Sequence, residues 1–208
     1  EMFSGIFAFD LGVIFDPKIW SVILVLFILD FYGPIAKFIG LTRNTSIVDE
    51  NGELPRMKEG LAVDGAGTII GAATGTSNLI TYVESAVGIG EGGRTGLVAV
   101  VIAILMSLFL FLVPLINLVP VVATTGALLF VGLTLLPNRS ELKSYTWIDM
   151  VAVALMVLTT IATFGLDKAM FAGFAAFLVL SFFTGKHKEI NWYLVISTIL
   201  LLLGIIYS

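Results

Sequence analysis

Long apolar runs separated by short polar turns dominate this 208-residue chain. Residues 97–118 form the clearest run, and it is long enough for the roughly 20 residues that a helix needs to cross a bilayer. Other runs extend from about residue 18 to 41 and from 190 to 207. The apolar residues are continuous and do not alternate, which favours helices over a β-barrel. The pattern predicts an all-α polytopic membrane protein with about seven membrane segments and an extra C-terminal helix.

One apolar stretch, residues 76–89, is too short for an ordinary membrane helix and has glycines on both sides. β-Branched and aromatic residues at its start favour extended backbone, and Glu84 follows where a short helix could begin. We therefore expect a broken segment with a short extended strand near residues 77–83. In lipid, its backbone would need a partner strand or a ligand. The alternative is a buried Gly-rich packing loop.

Composition supports a membrane protein and narrows its chemistry. Hydrophobic residues make up 58% of the chain and charged residues 12%, against about 25% charged residues in soluble domains. The net charge of −4 gives no sign of a nucleic-acid partner. With no cysteine, no metal-ligand spacing, no nucleophilic triad and no phosphate loop, we expect no cofactor, no metal site and no enzyme activity. The chain opens at Glu1 and not at Met, and no n-region or cleavage site of a signal peptide is visible, so we expect a processed chain or one part of a longer protein.

Three carboxylates lie inside apolar segments: Asp30, Asp64 and Glu84. Because an ionised Asp at mid-bilayer costs roughly 2.5–3.5 kcal/mol on insertion scales, each needs a reason to be there. One interpretation is that they line a polar cavity and bind substrate or protons. It is favoured for Asp30 and Glu84, since each lies beside a helix-breaking feature. The alternative is helix capping or pairing with a lysine. For Asp64 the two interpretations balance, because its Gly-rich surroundings also suit a carboxylate that binds neighbouring backbone.

Two further polar residues are interpreted as lying outside the substrate site. Arg94, in a Gly-rich turn, is expected to be a loop or end-of-helix residue. His187 lies among charges in a late turn and is expected to be solvated. Basic residues occur in nearly every loop, so the positive-inside rule gives only a weak orientation.

The motif TYVESAVG at residues 81–88, followed by EGGRTGL at 91–97, closely resembles the guanine/hypoxanthine permease branch of the nucleobase–cation symporter-2 family. Residues 61–64 (LAVD) and 147–149 (WID) are similar to the same branch. The likeness extends over nearly the whole chain. The motif around Glu84 is its specific part.

This resemblance implies a fold of fourteen membrane segments in two inverted seven-segment repeats, divided between a core and a gate domain. The chain would be the second repeat, with an interfacial lead-in at 1–17, core-domain segments at 18–118, gate-domain segments at 119–185 and a C-terminal turn and helix at 186–208. It would lie in the plasma (inner) membrane and need the missing N-terminal repeat, from the same protein or from a separate chain. A homodimer is one possible assembly.

The resemblance also implies which residues bind the substrate. Asp30 and Glu84 would be the substrate-binding acids, the backbone at Val83 would contact the base, and Ser85 would lie beside it. Asp64 would support the site or its coupling.

A purine nucleobase suits the remaining chemistry. Two carboxylates can accept its ring N–H groups, Tyr32 or Phe31 could supply a stacking face, and Thr81 is a further candidate contact. Protonation of a buried carboxylate would link transport to the proton gradient.

The sequence departs from the branch at residues 30–34 (DFYGP), where related uracil permeases carry a histidine in place of Pro34. Alternative functions are therefore transport of another nucleobase, such as uracil or xanthine, and a non-transporting packing or regulatory protein derived from a permease half. An anion transporter of similar fold is less compatible with Glu84.

Overall fold

In a computed structural model, the regular secondary structure of the part of the chain that the structure describes consists of helices joined by loops and turns. That part is residues 5, 7–8, 12, 15–43, 45, 47–49, 54–112, 118–120, 122–186 and 190–207. The helices, in chain order, are α1 (Pro17–Thr42), α2 (Met57–Ala73), α3 (Ser85–Gly90), α4 (Leu97–Phe109, continued by a 3-10 turn at Leu110–Leu112), α5 (Val122–Thr134), α6 (Arg139–Leu142), α7 (Trp147–Thr163), α8 (Leu166–Phe183) and α9 (Trp192–Tyr207).

The all-α prediction is confirmed for these residues, whereas the strand predicted near residues 77–83 is not. Two of the helices, Ile19–Thr42 within α1 and Leu166–Phe183, are long and apolar enough to cross a bilayer. Four shorter apolar helices accompany them: α4 with its 3-10 turn, α5, α7 and α9. The end of the predicted 97–118 run lies partly outside the described residues.

Pro34 is the helix-breaking residue beside Asp30, and α1 continues through it without a break in the helix. Proline has no N–H, so the carbonyl of Asp30, four residues earlier, loses its usual helical donor. The helix therefore continues past a turn that lacks one backbone hydrogen bond, and this turn carries the candidate site residue Asp30.

The chain divides into two compact units. The first comprises residues 1–33, 69–78 and 137–208, and the second comprises residues 34–68 and 79–136. The core and gate boundaries expected at residues 118 and 185 stay a prediction.

In the first unit, small residues let helices approach closely. A Cβ built on Gly173 of α8 would lie 2.2 Å from Cγ of Met156 on α7. The start of α7 is fixed by a capping box, in which Thr146 N–H and its hydroxyl both donate to Asp149 Oδ2, at 2.8 and 2.7 Å. Ile148 and Leu201 are fully buried in this unit.

The second unit contains α3, α4, α5, the C-terminal part of α1 and the first part of α2. Leu41 and Val131 are its buried large apolar residues among those described. Side chains along α4 are exposed throughout, although nearly all of them are apolar. Such a surface is typical of a membrane protein and unlike that of a soluble monomer.

Candidate functional site

The segment between α2 and α3 begins at a helix end that only glycine fits well. Gly75 has φ +74°, its N–H donates to Ala72 O at 3.1 Å, and Thr76 N–H donates to Gly71 O at 2.9 Å. These two bonds define a Schellman motif, which satisfies the last carbonyls of α2. The chain therefore leaves the helix at a fixed point before the motif that the sequence singled out.

A second motif of the same kind ends α3. Gly92 has φ +98° and donates to Ile89 O at 3.1 Å, while Gly93 N–H donates to Gly88 O at 2.9 Å. Arg94 Nη1 donates to Ile89 O at 2.7 Å and to Gly93 O at 3.1 Å. Arg94 thus occupies the end-of-helix position expected from the sequence.

Between these two motifs, residues 77–82 are neither helical nor paired in a ladder. Over residues 77–84, Thr81 is the one residue whose backbone N–H finds a partner within the described part of the chain. A row of unpaired backbone donors is what the sequence predicted for this segment unless a strand or a ligand satisfies it.

In the first unit, Asp30 of α1 holds the beginning of this unwound segment. Asn78 Nδ2 donates to Asp30 Oδ1 at 2.7 Å, which is the short distance expected of a hydrogen bond to a carboxylate. Asn78 is exposed and Asp30 is half-buried. The amide therefore satisfies one carboxylate oxygen and leaves acceptor capacity on the other.

In the second unit, Asp64 of α2 holds the segment three residues further on. Its Oδ1 accepts from Thr81 N–H at 3.0 Å and from the Thr81 hydroxyl at 3.1 Å. Nearby, the Thr68 hydroxyl lies 3.5 Å from Leu79 O, and a Cβ on Gly67 would lie 3.4 Å from the same oxygen. The backbone of the unwound segment thus runs close along the small-residue side of α2. The hydrogen bond from Thr81 N–H to Asp64 is of the kind that the alternative interpretation of Asp64 expects, in which the carboxylate binds nearby backbone.

An open groove of about 610 Å³ lies beside this contact in the second unit. Its lining residues come from α1, α2 and the unwound segment: Phe38, Arg56, Glu59, Gly60, Val63, Asp64, Leu79, Ile80 and Thr81. The volume is within the range of small-molecule sites, which are mostly apolar with a few placed polar groups.

The second acid of the motif, Glu84, is the N-cap residue of α3 and is exposed. Its side chain makes no capping hydrogen bond, so its oxygens are not used by the helix it precedes. Ser85 is the first residue of α3 and is also exposed. The carbonyl of Val83 accepts from Ala86 N–H at 3.0 Å, which leaves the N–H of Val83 as the backbone group available to a ligand.

Tyr32 lies in contact with two helices of the first unit. Its ring is 5.2 Å from that of Phe174 on α8, edge to face, and its hydroxyl is 3.0 Å from Ser197 Oγ on α9. Phe31, next to it on α1, is 49% exposed and contacts Tyr32 edge to face. A stacking role for Tyr32 stays a prediction, while its hydroxyl is engaged in helix packing.

Sequence reasoning placed Asp64 and Thr81 in the site, and the structure brings these two together. It left Asn78 outside the predicted binding set, although an amide in an unwound segment near intramembrane acids was a usable signal. It gave Ser197 no role, and no local pattern marks that residue. His187 lies outside the described residues. Among the residues that are described, no group of three or more His, Asp or Glu could hold a metal ion.

Comparison with known proteins decides the family. A model of the Permease family, the nucleobase–cation symporter family, matches residues 2–167. The chain belongs to this family. Its members are integral membrane transporters that span the cell membrane several times, which confirms the expected multi-pass membrane location. The family and these relatives are permeases and not enzymes.

Individual relatives of this permease chain cover it almost completely. It is 32% identical over 200 residues to the adenine permease AdeQ of Escherichia coli strain K12, covering 95% of this chain and 44% of the relative. It is 32% identical over 187 residues to a putative permease of Methanocaldococcus jannaschii, covering 90% and 43%. The guanine/hypoxanthine permease GhxP of Escherichia coli O157:H7 is 26% identical over 204 residues, covering 91% and 45%.

The permease chain thus spans less than half the length of these curated relatives. No solved structure matches it.

Proposed function

We propose that this chain is the C-terminal half of a purine nucleobase transporter, and that its unwound segment and the acids Asp30 and Glu84 form part of the substrate site. The observation that carries this proposal is the unwound segment itself. It combines backbone N–H groups that find no partner in the described part of the chain with a carboxylate, Glu84, that makes no capping hydrogen bond to α3.

A purine complements these groups. Ring nitrogens and carbonyl oxygens of a base accept hydrogen bonds, and the N–H of Val83 is available to donate one. Ring N–H and amino groups donate, and the oxygens of Glu84 are available to accept. Ser85 is exposed beside Glu84 and offers a hydroxyl that can do either. The inferred contacts combine donors and acceptors in one short run of chain, as recognition of a flat heterocycle requires.

Asp30 has a different place in this scheme because Asn78 already occupies one of its oxygens at 2.7 Å. The remaining lone pairs are the ones that a base or a proton would take. We infer that transport is proton-coupled and that protonation of an acid in the site accompanies the passage of the base. A collapse of uptake on addition of a protonophore is the expected result, whereas a sodium requirement without any effect of the protonophore would contradict this coupling.

The purine class is supported by the relatives whose names specify adenine or guanine/hypoxanthine. The substrates to be compared are therefore hypoxanthine and adenine. Adenine is included because this chain is 32% identical to the adenine permease AdeQ, over 95% of its length, and 26% identical to the guanine/hypoxanthine permease GhxP. The preceding half, encoded upstream or as a second chain, is the inferred partner, since the relatives are more than twice as long as the matched region.

The decisive experiment measures uptake of radiolabelled hypoxanthine and adenine by cells that express the chain together with its N-terminal half. Glu84→Gln removes the negative charge of the carboxylate that we propose to contact the base. We expect uptake to fall at least about tenfold. Glu91→Gln is the matched control, because it removes another exposed carboxylate seven residues later, and uptake within about twofold is expected. Equal uptake by the Glu84→Gln variant and the unsubstituted protein would contradict the assignment.

A further inference from the structure

The C-terminal helix α9 lies against the N-terminal part of α1 at two places that share one spacing. The Tyr32 and Ser197 hydroxyls are hydrogen-bonded at 3.0 Å. Two helical turns away on both helices, a Cβ built on Gly204 would lie 2.2 Å from Val25 Cγ2. Seven residues separate Val25 from Tyr32, and seven separate Ser197 from Gly204. The two helices therefore run antiparallel along a continuous seam.

The interior of this seam is buried and closely packed. Ile28, between Val25 and Tyr32, is 2% exposed, and Leu201, between Ser197 and Gly204, is 0% exposed. Gly204 is itself buried, and its lack of a side chain is what permits the approach to α1. Small residues at such positions let membrane helices come close. The seam is thus able to transmit a constraint from α9 to α1.

The turn of α1 that carries Asp30 and Tyr32, at the end of this seam, lacks one of its backbone hydrogen bonds. Pro34 cannot donate to the carbonyl of Asp30, so the backbone that carries Asp30 lacks one helical hydrogen bond. Tyr32 follows two residues later, roughly on the opposite side of the helix. Asp30 contacts Asn78, whereas Tyr32 contacts α8 and α9. The side chain of Tyr32 therefore supports this turn from the face of α1 opposite Asp30.

We propose that Ser197 is a positioning residue for the substrate site, and that it acts through its hydrogen bond to Tyr32 to fix the turn of α1 that carries Asp30. This deepens the proposed transport function and rests on it for the substrate readout. It gives α9 a role, although this helix lies beyond the residues 2–167 that the family model matches. The effect is on orientation, since Ser197 itself does not touch the base.

The packing is tested first, by cross-linking. An ideal Cβ on Gly204 lies 3.6 Å from Val25 Cβ, within the Cβ separation of disulfides, and the chain has no native cysteine. The purified double variant Val25→Cys/Gly204→Cys should form an intramolecular disulfide on mild oxidation. The pair Ile23→Cys/Gly204→Cys is the control, because Ile23 is exposed and two residues from Val25, on the other side of α1. Equal cross-linking of both pairs, or no cross-linking of either, would contradict the proposed packing of α9 against α1.

The positioning role is tested with Ser197→Ala, Tyr32→Phe and the double variant, in the protein with its N-terminal half. Each single change removes one hydroxyl and keeps the ring of residue 32. We expect KM for the transported purine to rise about threefold to tenfold with Vmax within about twofold, and the double variant to match the singles. Thr198→Val is the control, because the Thr198 hydroxyl donates to Leu194 O of its own helix, at 2.7 Å. Lower Vmax at unchanged KM, or additive effects, would overturn the proposal.

A second readout needs no transport. Amide hydrogen exchange of residues 28–33 should be at least about threefold faster in Ser197→Ala than in Thr198→Val, since the turn at Asp30 loses its external support. If the unsubstituted protein takes up no purine, the proposed function fails while this exchange measurement still decides whether Ser197 fixes the turn. Unchanged exchange would overturn the positioning role whatever the uptake.

Discussion

The carboxylate of Asp64 accepts two hydrogen bonds from one residue, the N–H of Thr81 at 3.0 Å and the hydroxyl of Thr81 at 3.1 Å. A single side chain on α2 therefore fixes both the backbone and the side chain of the segment that precedes Glu84. Because an unmade bond to a charged acceptor costs more than a neutral one, this contact is a strong local determinant of the segment's path.

Removal of the Asp64 carboxylate should loosen the segment more than removal of the Thr81 hydroxyl. Asp64→Ala loses both bonds and should cost about 2–3 kcal/mol of local stability, whereas Thr81→Val retains the backbone bond and should cost about 1 kcal/mol. Amide exchange of residues 79–84 measures both. Thr81→Ser keeps the hydroxyl and is the control, with exchange expected near that of the unsubstituted protein. Faster exchange in Thr81→Val than in Asp64→Ala would contradict this order.

The contact between Asp30 and Asn78 predicts a charge effect on uptake. Asn78→Asp places a second carboxylate where the amide donor lies 2.7 Å from Asp30, so repulsion should lower purine uptake further than Asn78→Ala does.

The exchanged pair Asp30→Asn/Asn78→Asp is the informative comparison for this prediction, because it restores one donor and one acceptor at the same contact. We expect it to recover part of the uptake lost in Asn78→Asp. Recovery to the full original level would show that the position of the charge is unimportant and would count against Asp30 as the substrate-binding acid.

The left-handed conformation of Gly92 predicts a specific cost for a side chain. Gly92 has φ +98° with open space around its Cβ position, so Gly92→Ala should lower the free energy of unfolding by about 1 kcal/mol through backbone strain alone. Gly96→Ala is the control, since Gly96 has φ −60° and open space too. Thermal unfolding in detergent measures both, and a Tm for Gly92→Ala at or above that of Gly96→Ala would refute the prediction.

The close approach of α7 and α8 predicts a larger steric effect. A Cβ at Gly173 would lie 2.2 Å from Met156 Cγ and 2.5 Å from its sulfur, so Gly173→Ala should destabilise the protein by about 1–3 kcal/mol. Gly132→Ala in α5 meets open space and should be neutral or slightly stabilising, because Ala favours helix over Gly. Relief of the Gly173→Ala loss by the additional change Met156→Ala would identify Met156 as the cause.

The extents of the helices were predictable wherever a long apolar run ends at polar residues. The first span was expected at about residues 18–41 and is found at Pro17–Thr42. The break expected before Glu84 is also present, because glycines at both ends allow the positive φ angles that end α2 and α3. These features depend on local sequence, where a glycine or a continuous apolar run limits the backbone to few choices.

The contacts between distant residues could not be predicted in the same way. Asn78 and Asp30 are 48 residues apart, and nothing local specifies that an unwound segment should return to the first helix. The expected strand near residues 77–83 is not confirmed, since a ladder needs a partner and none is present among the described residues. Tyr32 was interpreted as a stacking surface, but its aromatic character alone could not reveal a neighbour in α9.

Within the described part of the chain, the backbone N–H groups of residues 77–84 other than that of Thr81 find no partner, and this also bears on how such a protein is made in a cell. Each N–H group left without a partner in hydrocarbon costs several kcal/mol. Insertion of this segment into the bilayer core without a partner is therefore unfavourable. A cell that makes such a chain would have to keep this segment hydrated, or shielded by an insertase or a chaperone, until a partner segment or a ligand satisfies these groups. A newly made chain that stays long in that condition would be an early target for membrane-protein proteases.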